Sequence, residues 1–286
     1  MPLAPAERHL IALDLDGTVL HRDESIDHAV AESIRRLHDI GHEVVIATGR
    51  SVDATLPIVE KLRIRPEWVV CCNGAITLNR DPLADRAYRH EYVEAFDATE
   101  VLTKIRSHMI SALYGLENVH GELLYTEEIP ASTLPARRRK VPFEQLLGVQ
   151  ATRLLVVSPD HALEDFLAVV DQMGLTRVSY AIGFTAWLDI APEGVSKESA
   201  LEVVRSRLGI DRSQVFAAGD GNNDIQMLRW AARRGDAVAM GQAVDTVKAA
   251  AGRVTGRIDE SGLAFALRDR FARDLGVPGL EAGNIA

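Results

Sequence analysis

The stretch His9-Leu10-Ile11-Ala12-Leu13-Asp14-Leu15-Asp16-Gly17-Thr18 decides the fold. An apolar run that stops abruptly at a carboxylate reads as a strand buried on both faces, because a half-exposed strand would alternate. The carboxylate then stands at the carboxyl end of the strand, where open parallel sheets bind their ligands. Asp14 and Asp16 are spaced i, i+2, which puts both on one face of a continuing strand, and Gly17 lets the chain turn away. Two carboxylates so placed can hold a hard cation while one of them attacks phosphorus. The plainer alternative is a polar turn capped by Asp16, and the rest of the chain has to decide between them.

Outward from this strand, Ile26, Val30, Ile34 and Leu37 recur at helical spacing and Gly41 follows as a C-terminal cap. Val44-Val45-Ile46-Ala47 reads as a second buried strand. Ser51 caps the next helix, which carries Leu56, Val59 and Leu62. Trp68-Val69-Val70-Cys71-Cys72 is a third strand, completing a βαβαβ order that implies a parallel sheet covered on both faces. The alternation resumes late in the chain. A helix is expected over 197–208, then the strand Val215-Phe216-Ala217-Ala218, a helix over 225–232, the strand Ala237-Val238-Ala239-Met240, and a helical stretch from about 260. Between residues 83 and 188, strand-like pieces (122–126, 154–157, 178–182) mix with a helix over 162–173. The expected fold class is therefore α/β. A doubly wound, Rossmann-like parallel-sheet core comes from residues 1–82 and 189–286, and residues 83–188 form an inserted α+β domain.

Composition narrows the function classes. The 286 residues are 47% hydrophobic and 26% charged, the balance of a soluble globular protein. No apolar run approaches the roughly 20 residues that cross a bilayer, and the first residues lack a secretory leader's basic-then-apolar order. A cytoplasmic enzyme with no membrane partner is expected. A net charge of -9, from 32 basic and 41 acidic residues, gives no general attraction for nucleic acid. The dense basic run Arg137-Arg138-Arg139-Lys140 reads first as a solvated loop and second as a surface that attracts anionic substrates. Cys71 and Cys72 are adjacent on a strand and point to opposite faces, so they are expected to be reduced and buried, with no thiolate metal site.

Three further segments carry chemistry. Ala47-Thr48-Gly49-Arg50-Ser51 leaves the second strand and opens a helix, and a hydroxyl with amides at a helix start suits a phosphate. Gly194-Val195-Ser196-Lys197 puts a lysine in a first helical turn, unfavourable for the helix dipole unless its ammonium faces an anion. Gly219-Asp220-Gly221-Asn222-Asn223-Asp224 brackets acids and amides with glycines after another apolar strand, a donor set suited to a magnesium ion that keeps several waters. Each segment alone could be an ordinary turn. Together they supply a nucleophile, a cation site, phosphate donors and a neutralising lysine.

In this order the four segments resemble the haloacid dehalogenase (HAD) superfamily of phosphatases, and within it the Cof-type branch, in which a large cap is inserted between the second and third motifs. Cys72-Asn73-Gly74-Ala75 and Val238-Ala239-Met240-Gly241-Gln242-Ala243 agree as lesser signatures. The resemblance implies that Asp14 attacks phosphorus and that Asp16 is the acid for the leaving group, then the base for water. It implies Mg2+ held by Asp14, the main-chain carbonyl of Asp16 and Asp220, with Asp224 as ligand or orienter. Thr48, Gly49, Lys197 and Asn223, with the amides of Leu15 and Asp16, would contact the phosphoryl group of a small phosphorylated metabolite. Glu198 departs from the small residue expected after the lysine, and is read as a solvent-facing first-turn residue. Trp187, near the return from the insert, is read as a core or hinge aromatic, with stacking on a substrate ring as the alternative.

Three rivals share these groups. A phosphomutase would keep the phosphoryl group, a phospho-acceptor signalling module would need no inserted cap, and a phosphometabolite sensor would need no nucleophile.

Overall fold

The computed structural model describes residues 7–109, 111–129, 134, 137–159, 163–173, 175, 178–182 and 186–276. The chain divides into two compact units. Residues 1–47, 59–68 and 203–286 make the first, and residues 48–58 and 69–202 the second.

The first unit is built on the strand Leu10–Leu13, every residue of which is fully buried. It pairs in parallel with Glu43–Ala47 on one side and with Val215–Gly219 on the other. Asp236–Ala239 and then Arg253–Val254 extend the sheet beyond Val215–Gly219, again in parallel. The chain thus steps to one side of Leu10–Leu13 first and returns on the other, and such a reversal opens a crevice beyond the strand's carboxyl end. The helix His28–Ile40 buries Val30, Ile34 and Leu37, as their spacing requires. It starts where Asp27 Oδ1 accepts from the Ala29 amide at 2.7 Å, and ends at Gly41 with φ 113°. The later helices and strands fall where the sequence places them, at Lys197–Arg207, Ile225–Ala232, Asp236–Ala239 and Gly262–Arg270.

In the second unit, Gln150–Val157 lies between Trp187–Pro192 and Leu113–Asn118, both antiparallel to it, and Val178–Ile182, Leu123–Tyr125 and Arg138–Lys140 complete the order outward. One face, with Leu116, Leu154, Val156, Leu188 and Ile190, packs on Val101, Leu102, Ile105, Phe166 and Val170 of the helices Thr99–His108 and Leu163–Met173. The other face carries a smaller cluster of Leu123, Ile129, Leu134 and Leu155, against which Trp187 packs. Trp187 is thus a packing aromatic, the first of its two readings.

Two readings need correction. The basic run is a strand rather than a loop: Arg138–Lys140 pairs with Leu123–Tyr125. Its charges are met by Glu128 (3.7 Å), Glu122 (3.3 Å) and Glu127 (2.6 Å), so its field on anions is largely cancelled. Exposed pairs like these add little stability. The third strand is shorter than expected, Trp68–Cys71, because Cys72 has already turned into the left-handed region at φ 51°. Both cysteines are free and buried, and burial pushes the Cys71 thiol up to about 12.

Glu43 opens the second parallel strand and is only 3% exposed. Its oxygens take the Arg8 guanidinium at 2.8 Å and the Trp68 amide at 3.0 Å, yet burial still pushes its carboxyl up from 4.5 to about 7. Folding therefore favours the protonated form, so this contribution is complete below pH 4.5 and is lost as the pH rises through 7. The shift corresponds to about 3 kcal/mol. Urea denaturation of native protein and Glu43→Gln between pH 4.5 and 8 should show the native protein losing stability relative to the variant as pH rises; parallel curves would refute this.

Candidate active site

Asp14 is the first residue past Leu10–Leu13. Its amide still donates to the Ala218 carbonyl at 3.1 Å, so the sheet ladder fixes where its side chain begins. The chain then turns tightly, with the Leu15 carbonyl accepting from the amides of Thr18, Val19 and Leu20. Gly17 holds φ 82°, and a Cβ there would stand 2.1 Å from Asp220 Oδ2. Only glycine lets Asp220 come this close. The same device recurs at Gly219, where a Cβ would meet Asp224 Cγ at 2.5 Å.

The result is a cluster. Asp14, Asp220 and Asp224 are all buried, and each offers a carboxylate oxygen within 4.8 Å of the others. Asp224 is fully buried and its Oδ2 accepts from the amides of Asp220 (3.0 Å) and Gly221 (2.9 Å), so the loop winds around its own carboxylate. Asn223 is half-buried in the same loop. Gln242 ties the two loops together: its Nε2 donates to the Gly17 carbonyl at 2.6 Å and to Asp220 Oδ2 at 3.2 Å, while its Oε1 accepts from the Ile258 amide at 3.0 Å. The sequence flagged Gln242 only as part of a lesser signature, without a role.

Three carboxylates this close repel one another by several kcal/mol at the effective dielectric of a protein interior. A divalent cation with oxygen ligands at about 2.1 Å removes that repulsion, and two oxygens opposite one another on such an ion stand roughly 4.2 Å apart. Asp14, Asp220 and Asp224 could thus hold a metal ion between them. The side chain of Asp16 is exposed and lies outside the cluster, so its expected contribution to the ion, a main-chain carbonyl, does not need the side chain.

Thr48, Gly49 and Lys197 belong to the second unit. Thr48 Oγ1 accepts from the Arg50 amide at 3.1 Å, its own amide donates to the Val70 carbonyl at 2.9 Å, and its carbonyl accepts from the Asn73 amide at 3.0 Å. Lys197 is 1% exposed at the start of its helix, and Glu198 beside it is half-buried rather than fully solvent-facing. The turn after Trp68–Cys71 joins the two regions. Gly74 sits so close to Ser196 that a Cβ would lie 2.2 Å from the Ser196 carbonyl oxygen.

That turn is strained: Cys72, Asn73 and Gly74 have φ of 51°, 54° and 103°, and each non-glycine residue there costs about 1–2 kcal/mol. Side chains missed in the sequence hold it. Asn73 Nδ2 donates to Asp189 Oδ2 at 3.1 Å, and Asp189 takes the Arg153 guanidinium in a fork at 2.9 and 2.7 Å. Cys72 Sγ contacts Glu117 Oε1 at 3.7 Å, and Glu117 lies opposite Arg153 in the sheet register. Burial pushes the Glu117 carboxyl up to about 7 although Arg153 opposes the shift. No local spacing announces these partners, which are dozens of residues apart.

The haloacid dehalogenase-like hydrolase family matches residues 11–267, and the chain belongs to that family. It is a HAD-type phosphatase, a hydrolase of phosphate monoesters. The 5-amino-6-(5-phospho-D-ribitylamino)uracil phosphatase YitU of Bacillus subtilis is 28% identical, the match covering 92% of this chain and 98% of that protein. The pyridoxal phosphate phosphatase YbhA of Escherichia coli is 31% identical, over 86% of this chain and 93% of that protein. A solved HAD subclass IIB sugar phosphatase shares the fold, with a TM-score of 0.76, 22% identity, and coverage of 92% of this chain and 99% of that one. Among the described residues, no helix is long and apolar enough to cross a membrane.

Replacing Asp224 by alanine would strip the buried amides of Asp220 and Gly221 of their acceptor. Compared with Asp224→Asn, which removes the same charge but keeps an acceptor, Asp224→Ala should lose roughly a further 1–3 kcal/mol in chemical denaturation. A loss under 0.5 kcal/mol would show that the loop does not depend on this carboxylate.

Proposed function

We propose that this phosphatase acts on a small organic phosphate, a sugar phosphate or the phosphate of a cofactor precursor, through an aspartyl phosphate on Asp14. The observation that supports it best is the buried meeting of Asp14, Asp220 and Asp224 at the ends of parallel strands. The relatives named above act on phosphates with three different bodies, which fits one shared phosphoryl chemistry.

In this reading a carboxylate oxygen of Asp14 bonds to phosphorus as the ester bond breaks, and Asp16 delivers its proton to the leaving oxygen. Water then attacks the phosphorus, Asp16 takes up its proton, and phosphate leaves with Asp14 restored. Thr48, Gly49, Lys197, Asn223 and the amide of Leu15 hold the phosphoryl oxygens. Asp14, Asp220, Asp224 and the carbonyl of Asp16 hold Mg2+. The ion supplies charge neutralisation, without which a carboxylate would be repelled by a phosphate dianion. Residues 83–188 serve as a cap that excludes water and selects the substrate, and residues 1–82 and 189–286 form the core.

Phosphate release across a library of phosphate esters, with Mg2+ and with EDTA, tests the proposal. Turnover should require the cation, and isomerised sugar phosphate without free phosphate would replace this reading by the mutase. Asp14→Asn should abolish release while the protein stays folded, and Asp16→Ala should slow it by roughly 100-fold or more. Normal activity in Asp14→Asn would end the covalent mechanism.

A further inference from the structure

Asp220 is held by a side chain from outside its own loop. It is 7% exposed, and its Oδ2 accepts from Gln242 Nε2 at 3.2 Å. The same nitrogen donates to the Gly17 carbonyl at 2.6 Å, and Gln242 Oε1 accepts from the Ile258 amide at 3.0 Å. Both amide hydrogens and the amide oxygen are thus used. All four residues belong to the first unit.

Only one orientation of this amide works. Turned over, it would aim its oxygen at two acceptors and its nitrogen at a donor, and all three bonds would be lost. Backbone bonds fix the point from which it reaches. The Met240 amide donates to the Gly219 carbonyl at 3.1 Å, and the Gly241 amide to the Gly256 carbonyl at 3.0 Å. Gly241 lies so close to the next segment that a Cβ would stand 2.9 Å from the Thr255 carbonyl oxygen. Asp220 Oδ2 therefore has a firmly based amide bonded to it and the Gly17 backbone pressed against it.

This bears on which cation the cluster prefers. A carboxylate meets a cation through one oxygen or through both. Mg2+ demands near-octahedral geometry at about 2.1 Å, whereas the larger Ca2+ takes 6–8 oxygens at about 2.3–2.6 Å and accepts two-oxygen carboxylates readily. A neighbour that fixes one oxygen of a ligating carboxylate sets how the other is presented, and loss of such a neighbour changes metal affinity by about 10–100-fold.

We propose that Gln242 is a positioning residue that holds Asp220 Oδ2, presents Oδ1 to the ion, and thereby favours Mg2+ over Ca2+. The inference rests on the reading above that Asp14, Asp220 and Asp224 hold the cation. Without the Gln242 amide, the Asp220 carboxylate turns about its own axis and offers both oxygens. That arrangement suits Ca2+ and is poorly matched to the tighter shell of Mg2+.

The test titrates Mg2+ and Ca2+ separately into the full-length, cation-free protein by isothermal titration calorimetry, with no ester present. Gln242→Met keeps the length of the side chain and removes its donors. In this variant the Kd for Mg2+ should rise by roughly 10-fold or more, and the Kd for Ca2+ by much less. Gln242→Asn, whose amide sits on a stem one methylene shorter, should shift the ratio of the two constants in the same direction and carries the comparison if the methionine variant does not fold. A ratio unchanged from the native protein, whether both ions weaken equally or neither does, would overturn the proposal while leaving the cation reading intact. A native protein that binds neither ion would sink the cation reading as well.

Discussion

The arrangement that everything else serves is the forced proximity of three like charges. Asp14, Asp220 and Asp224 are brought within 4.8 Å in a buried setting. Left alone they would spread apart, since like charges removed from water repel strongly. The fold prevents the spreading. Asp14 is pinned by the ladder to Ala218, and Asp224 by the two amides it accepts. Asp220 is pinned by Gln242. The glycines at 17 and 219 allow the approach and could not be replaced without displacing a carboxylate. Stability is given up here that a bound cation would restore.

The second unit meets a related problem with backbone rather than charge. Three successive left-handed residues, Cys72 to Gly74, bring the Thr48 segment and the start of the Lys197 helix against one turn. Such a turn would relax to an extended strand if it were not held at both ends. Asn73 reaches Asp189, and Asp189 is locked by Arg153, itself buried. A polar network of the second unit thus fixes the geometry of the turn against which the Thr48 segment lies.

The contrast explains what the sequence disclosed. Leu10–Leu13, the helix His28–Ile40 and the loop 219–224 were legible because their determinants are local: an apolar run, a helical spacing, a capping aspartate, a glycine before an acid. The three clustered acids were legible for the same reason, each following its own strand or opening its own helix. Glu117, Arg153 and Asp189 were not, since each looks like an ordinary charged residue on a strand until the register places them together. The strand Arg138–Lys140 has no local signature, because only its pairing with Leu123–Tyr125 defines it.

This division has a functional logic. Phosphoryl transfer makes the same demands whatever ester is cleaved, so the groups that serve it can be fixed in short segments at strand ends. The body of the ester differs from one substrate to the next, and only contacts to the body can separate their rates, because discrimination is differential stabilisation of competing transition states. Those contacts must come from side chains that can change without disturbing the carboxylate cluster. Side chains of the second unit outside its Thr48 and Lys197 segments meet that condition, since Asp14, Asp220 and Asp224 all lie in the first. A chain that keeps its strand-end acids and varies those side chains can change substrate at little cost to the chemistry.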